Sequence, residues 1–181
     1  MATNAETVVV ITDANVLINL LRIGQLPLLG KLDVYRFLVP EEVVGEITNQ
    51  AQQDTLAAAI AAGHLGQIVV DTIEALALFA ELRDVMGRGE AACLALAATT
   101  GCYIASDEKK RFRRRAIELI GEARILRTES ILLEATPARG REPTHAAFLW
   151  RTRTIYGGTM RTAVTREKSA WFFSLESCAR R

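Results

Sequence analysis

Residues 8–23 read VVVITDANVLINLLRI, and this stretch decides the fold. Val8–Thr12 is a short β-branched run with a polar stretch before it, and it reads as a buried strand. Asp13 follows directly. Ala14–Ile23 then places Val16, Leu17, Leu20 and Leu21 at helical spacing. A strand, an acid and a helix in immediate succession put the acidic side chain on the carboxyl rim of a parallel α/β sheet, where such folds place their ligands.

The chain beyond this stretch continues the alternation. Phe37–Val39 reads as a second strand, followed by Pro40, which a helix tolerates in its first turn. Glu41 and Glu42 suit that turn through the helix dipole. Val43, Val44 and Ile47 give the helix an apolar face, and Glu46 lies about one turn after Glu42. Leu56–Ala62 is an Ala-rich helix ended by Gly63, and Gln67–Val70 reads as a third strand. Thr72 is placed to cap a helix running to Met86, with Leu76, Phe79 and Leu82 as its stripe.

Gly87–Arg88–Gly89 breaks the chain before a second informative block. Glu90–Thr100 (EAACLALAATT) is a helix of small and apolar residues whose only charge is Glu90, so it must be buried. Gly101 stops it, Cys102–Ala105 is a buried strand, and Ser106, Asp107 and Glu108 stand at that strand's end. A helix rises about 1.5 Å per residue and a strand about 3.3 Å, so the two nearly cancel in length and return Glu90 and Asp107 to the same rim. The expected architecture is α/β with three layers, α/β/α, around a short and mainly parallel sheet, plus a C-terminal extension.

Asp13, Glu46, Glu90 and Asp107 are therefore the candidate active-site carboxylates. Four acids from distant segments would repel one another unless a cation neutralised them, and a hard divalent ion such as Mg²⁺ or Mn²⁺ suits oxygen ligands. Each acid also has a purely structural reading. Asp13 is a suitable helix N-cap, and Glu90 a favourable first-turn acid. Glu46 reads equally as a solvated helix residue, with Glu41 and Glu42 competing for its role. Asp107 reads as a cap for the next helix, which would leave Glu108 as the ligand. Lys109–Arg115 (KKRFRRR) is either a solvated helix face around Phe112 or a phosphate contact through Lys109, Lys110 and Arg111.

Taken in order, DANVLINL from Asp13, VPEEVVGEI carrying Glu46, GRGEAACLALA carrying Glu90 and YIASDEKKRFRRRA carrying Asp107 resemble the PIN-domain ribonucleases. The likeness is to their toxin-like branch, which includes VapC-type toxins, and covers about residues 8–135. Thr128–Leu133 (TESILL) resembles the family's last helix, and Asn15 its small polar residue two places after the first Asp. The resemblance implies a PIN-like sheet and an Mg²⁺- or Mn²⁺-dependent endoribonuclease leaving 5′-phosphate and 3′-hydroxyl ends. It implies Asp13 as the central ligand, Glu90 and Asp107 completing the metal site, and Glu46 orienting water or an outer ligand. Asn15, Ser106, Lys109, Lys110 and Arg111 are the expected substrate-binding residues. It also implies a toxin held by a small antitoxin protein.

Composition bounds these readings. The 181 residues suffice for one packed domain, and no apolar run approaches a membrane span. The opening MATNAETVVV lacks a basic n-region, so no secretory signal is expected. Cys93, Cys102 and Cys178 have no metal-like spacing and fit a reducing cytosol, with the first two in the core. The expected location is cytoplasmic. Residues 1–135 carry 13 Lys/Arg against 18 Asp/Glu, whereas residues 136–181 carry 9 against 3. A domain at 1–135 is thus followed by a basic extension at 136–181. That extension opens with TPARGREPT and interleaves aromatics with arginines, which suits either packing and homodimerisation or contact with RNA. Gly157–Gly158 suits a hairpin turn. Two other functions compete with the ribonuclease. One is an Mg²⁺-dependent phosphatase of the haloacid-dehalogenase type with Asp13 as nucleophile, although Asn15 stands where that family has a second Asp. The other is a catalytically silent RNA-binding module.

Overall fold

β-Branched side chains lose little rotamer freedom in an extended chain, and Val8–Thr12 forms the first strand, β1. The structure is a computed structural model that describes residues 7–135; the expectations for the C-terminal extension fall outside the described residues. Four more strands follow: β2 (Tyr35–Pro40), β3 (Gly66–Ile68), β4 (Tyr103–Ala105) and β5 (Ile125–Leu126). They make one sheet in the order β3-β2-β1-β4-β5, with every neighbouring pair parallel.

Among the described residues there are seven α-helices, six of them between strands and the last after β5: α1 (Ala14–Arg22), α2 (Glu41–Val44), α3 (Gln50–Ala61), α4 (Ile73–Arg83), α5 (Arg88–Thr100), α6 (Arg111–Ile120) and α7 (Thr128–Ala135). Helix α5 lies against β1, β2 and β4 and also contacts α2, α4 and α6, while α1 packs with α3 and α7. The result is the expected three-layer α/β/α arrangement.

The strand order reverses at β1. Its neighbour β2 leads to one edge and β4 to the other, which makes the crevice beyond the carboxyl ends of β1 and β4 a topological switch point. The ladder there runs Val10↔Tyr103, Ile11↔Ile104 and Thr12↔Ala105, and the Asp13 N–H extends it by donating to the Ala105 carbonyl at 3.0 Å. Asp13 and Ser106 thus leave adjacent strands side by side.

The expected burial of α5 holds from Ala91 through Ala97, although the helix begins at Arg88 rather than at Glu90 and so carries a second charge. Gly101 ends the helix at φ +76, where a side chain would be strained, and its N–H donates to the Ala97 carbonyl. Cys93 and Cys102 are buried, as expected.

Several boundaries differ from the sequence reading. Helix α2 is a single turn that ends at Val44, so Glu46 lies in the turn beyond it rather than on the helix. Pro40 is its N-cap, and Gly45 caps its other end. Helix α3 begins at Gln50, because Asn49 caps it by accepting from the Gln52 N–H at 3.1 Å. Thr72 caps α4 as expected, accepting from the Ala75 N–H at 3.2 Å, but the helix stops at Arg83. Its buried residues are Ala75 and Leu82; Leu76 is turned outward beside Ile73, which is 82% exposed. β5 has only two residues, too few for any periodic signal in the sequence. Among the described residues, no helix is long and apolar enough to cross a membrane.

Leu94 is completely buried at the centre of α5. Leu94→Ala is expected to lower the unfolding free energy by about 2–5 kcal/mol, read as a shift of the urea midpoint.

Candidate active site

Asp13 ends β1 and caps α1 in one position. Its Oδ1 accepts from the Ala14 N–H at 2.8 Å, while Oδ2 accepts from Asn15 Nδ2 at 2.9 Å and from Ser106 Oγ at 3.0 Å. The cap and the candidate ligand are therefore the same carboxylate. It is only 2% exposed. Burial is the largest influence on its proton and pushes the pKa up to about 6 from 3.8. The bonds from Ala14 and Ser106 pull the other way, and the negative charges of Glu90 and Glu46 raise it further. Among the described residues no Lys or Arg pairs with Asp13, Glu42, Glu46 or Glu90.

Asn15 and Ser106 hold Asp13 in place. Asn15 Nδ2 donates to both Asp13 Oδ2 and Glu108 Oε1, the latter at 3.0 Å, and its Oδ1 accepts from the Asp107 N–H at 3.1 Å. Ser106 Oγ donates to Asp13 and accepts from the Glu108 N–H at 3.1 Å. Through these two side chains Glu108 is linked to Asp13. Asp107 faces the start of α7 instead. Its Oδ1 accepts from the Thr128 N–H at 3.0 Å, and its Oδ2 accepts from Asn19 Nδ2 at 3.0 Å and from the Thr128 hydroxyl. Asp107 thus caps α7, a helix distant in sequence, and not α6, which follows it directly.

Glu90 lies in the first turn of α5, and its Oε2 accepts from the Gly87 N–H at 2.9 Å. The first-turn role is real, and the same carboxylate acts on Asp13. Glu46 reaches α5 from the turn after α2: its Oε1 accepts from the Gly89 N–H at 2.7 Å. A side chain at Gly89 would collide with it, since an added Cβ would fall 2.8 Å from both Glu46 carboxylate oxygens. Glu46 therefore rests on bare backbone at the positive end of a helix.

The family resemblance favours Glu46 over Glu42, yet the Glu42 Oε2 is buried without a hydrogen-bond partner among the described residues. The buried Cys93 connects these acids: burial pushes its thiol well up, and the charges of Asp13, Glu46, Glu42 and Glu90 add to that. Such a thiol is a poor nucleophile. The signal for Glu42 is present as an acid in the first turn after β2, but nothing in the sequence separates its surroundings from those of Glu46. Asn19 escapes the sequence reading as well; it lies one helical turn beyond Asn15, in an otherwise largely apolar helix.

The donor set is all oxygen, the ligand type that suits a hard divalent cation, and among the described residues none of these acids is in an ion pair with Lys or Arg. The acids do not form a complete cage: among the described residues, no group of three His, Cys, Asp or Glu is close enough to hold a metal ion. Asp13, Glu90 and Glu46 are electrostatically coupled, and Asp107 stands apart with Thr128.

Of the expected phosphate contacts, Lys109, Lys110 and Arg111 are all exposed where the chain enters α6. Lys110 has a positive φ of 55°, which is strained for a residue with a side chain.

Two outcomes follow from this geometry. The raised pKa means that the folded protein binds a proton at Asp13 more tightly than the unfolded chain. Its destabilising contribution is therefore absent below about pH 3.8, grows as pH rises, and is complete above about pH 6. In EDTA, the stability of the wild type relative to Asp13→Asn is expected to fall across that window by up to about 3 kcal/mol, read by denaturant titration at several pH values. Gly89→Ala is expected to cost about 1 kcal/mol although alanine is the better helix former. Adding Glu46→Ala should recover that loss, as a double-mutant cycle would measure.

A family model described as a PIN domain matches residues 9–136. No curated protein matches the chain. The match runs from β1 through α7 and contains every candidate carboxylate, on a fold of the nuclease type. The chain belongs to the PIN-domain family.

Proposed function

We propose that this chain is a cytoplasmic, metal-dependent endoribonuclease that hydrolyses RNA phosphodiester bonds and serves as the toxin of a toxin–antitoxin pair. The observation that carries the catalytic part is Asp13, a buried carboxylate at the switch point with Glu90 and Glu46 raising its charge cost and no cation paired to it. The PIN-domain family supports the nuclease class. The toxin role rests on the resemblance of the four motifs to the VapC-type branch.

Asp13 and Glu90 would contribute oxygen ligands to Mg²⁺ or Mn²⁺, with Asp107 as the further acid that the resemblance implies; among the described residues no three acids close a cage by themselves, so water would complete the shell. Glu108 is the alternative to Asp107, because Asn15 ties it to Asp13. Such an ion would supply Lewis acidity toward the phosphoryl oxygens and would make water a better nucleophile. Asn15 and Ser106 keep Asp13 fixed and its lone pairs directed, a precision that matters because misplaced ligands cost rate steeply. Glu46 is held by the Gly89 N–H through one oxygen, which leaves the other to orient water or an outer ligand. Lys109, Lys110 and Arg111 lie next to Glu108 in the chain and would receive the phosphates that flank the cleaved bond. The reading includes a homodimer; Ile73 and Leu76 give α4 an exposed apolar surface that a second copy would cover.

Cleavage of a fluorescent RNA with Mn²⁺ tests the catalytic part. Asp13→Asn is expected to lose ~100-fold or more of the activity while remaining folded, and EDTA should abolish turnover by the wild type. Cleavage undiminished in EDTA would overturn the metal-dependent reading, as would turnover of p-nitrophenyl phosphate with no RNA cleavage. Expression without an antitoxin is expected to arrest growth for the wild type and not for Asp13→Asn; growth unaffected in both would remove the toxin role.

A further inference from the structure

Six of the seven residues in Lys109–Arg115 are basic, and the fold divides them into two kinds. Arg113 is paired with Glu122. Arg115 bonds Glu81 of α4 at 2.9 Å and Glu118 at 3.3 Å. These two arginines flank the buried stripe of Phe112, Ala116 and Ile120 and tie α6 to its surroundings. Lys109, Lys110, Arg111 and Arg114 are exposed and make no ion pair among the described residues. Arg111 and Arg114 share one outward surface of α6, because residues three apart are neighbours on a helix, and the exposed Lys110 precedes them at the N-cap. The acid on that surface, Glu118, is engaged by Arg115.

We infer that Arg114 is an RNA-binding residue: with Lys110 and Arg111 it forms a phosphate track along α6 that carries a single RNA strand away from the carboxylates. The inference rests on the ribonuclease reading for the nature of its ligand and extends it to a residue and a direction. The track starts at Glu108, whose side chain shares Asn15 with Asp13, so a strand with its reacting phosphate at Asp13 meets Lys109 and Lys110 first. Arg114 lies one turn further along, about 5–6 Å from Arg111 between Cβ atoms, a separation that neighbouring phosphates of one strand can bridge. Among the described residues no carboxylate pairs with Arg114, so its guanidinium can donate to phosphate oxygens. Arg113 and Arg115 have spent theirs on carboxylates, so the alternation of free and paired cations sets which face of α6 the strand follows.

Binding of a short, labelled, mixed-sequence RNA to the full chain in EDTA, followed over a range of salt concentrations, tests this without any cleavage. Each lost phosphate contact reduces the slope of log K against log salt by about 0.7 for a single strand. Arg114→Ala is expected to reduce the slope by that amount and weaken binding several-fold, and Arg114→Lys to retain the slope. Arg83→Ala, which removes an exposed charge from α4, is the control and should leave the slope unchanged. In Mn²⁺, Arg114→Ala should raise KM and leave kcat near the wild-type value. An unchanged slope for Arg114→Ala, or an equal loss for Arg83→Ala, would overturn the track even if the wild type cleaves RNA. Wild-type binding to the RNA without any cleavage in Mn²⁺ would instead remove the ribonuclease reading and leave the track standing.

Discussion

The pairing of β1 with β4 is the constraint on which the rest depends. It joins residues about ninety positions apart and carries the Asp13 N–H onto the Ala105 carbonyl. A shift of one residue would send Asp13 and Ser106 to the wrong sides of their strands, because side chains alternate along a strand. Burial enforces the register: Val10, Ile11, Ile104 and Ala105 are all inaccessible. Helix α5 covers these strands with small residues, so its backbone sits close enough for Cys93 to reach the Thr12 carbonyl. The apolar packing thereby brings the start of α5, with Gly89 and Glu90, toward the end of β1.

This packing creates an electrostatic problem at the same place. Asp13 receives three hydrogen bonds, which would ordinarily hold a carboxylate below its usual range, yet burial outweighs them. Glu46 and Glu90 each accept from one backbone N–H, and Glu42 keeps an oxygen without a hydrogen-bond partner among the described residues. A protein that only needed a stable helix cap at Asp13 would have no use for further acids nearby. The concentration of negative charge opposes stability, a cost that the proposed divalent ion would relieve. The cations of Lys109–Arg115 are arranged differently: Arg113 and Arg115 tie α6 to carboxylates, and Lys109, Lys110, Arg111 and Arg114 stand exposed.

Much of this architecture is readable in one dimension. β1, α1 and α5 declare themselves through β-branched runs, helical spacing and terminating glycines, all local properties. Asp13, Glu90 and the Ser106–Glu108 segment follow because an acid directly after a strand or before a buried helix has few places to go. The two-residue β5 and the one-turn α2 are illegible, since neither is long enough to display a period. The stripe of α4 fails at Leu76 because that helix is apolar on several sides, and only its neighbours decide which side is covered.

The sequence by itself determined that a parallel α/β sheet would gather acids on one rim, because the order of strand, acid and helix is a local pattern that backbone geometry converts into position. Only the tertiary structure decided what each acid faces. Asp107 and Glu108 are adjacent in the chain, yet one turns to Thr128 and the other to Asn15. Glu42 and Glu46 are one turn's length apart, yet one is left with a buried oxygen and the other rests on Gly89. In KKRFRRR the six positive charges look alike until Glu81, Glu118 and Glu122 choose among them. Partners of this kind arrive from distant segments, and hydrogen bonds and ion pairs act over a few ångström, so their choice is made only when the chain has folded.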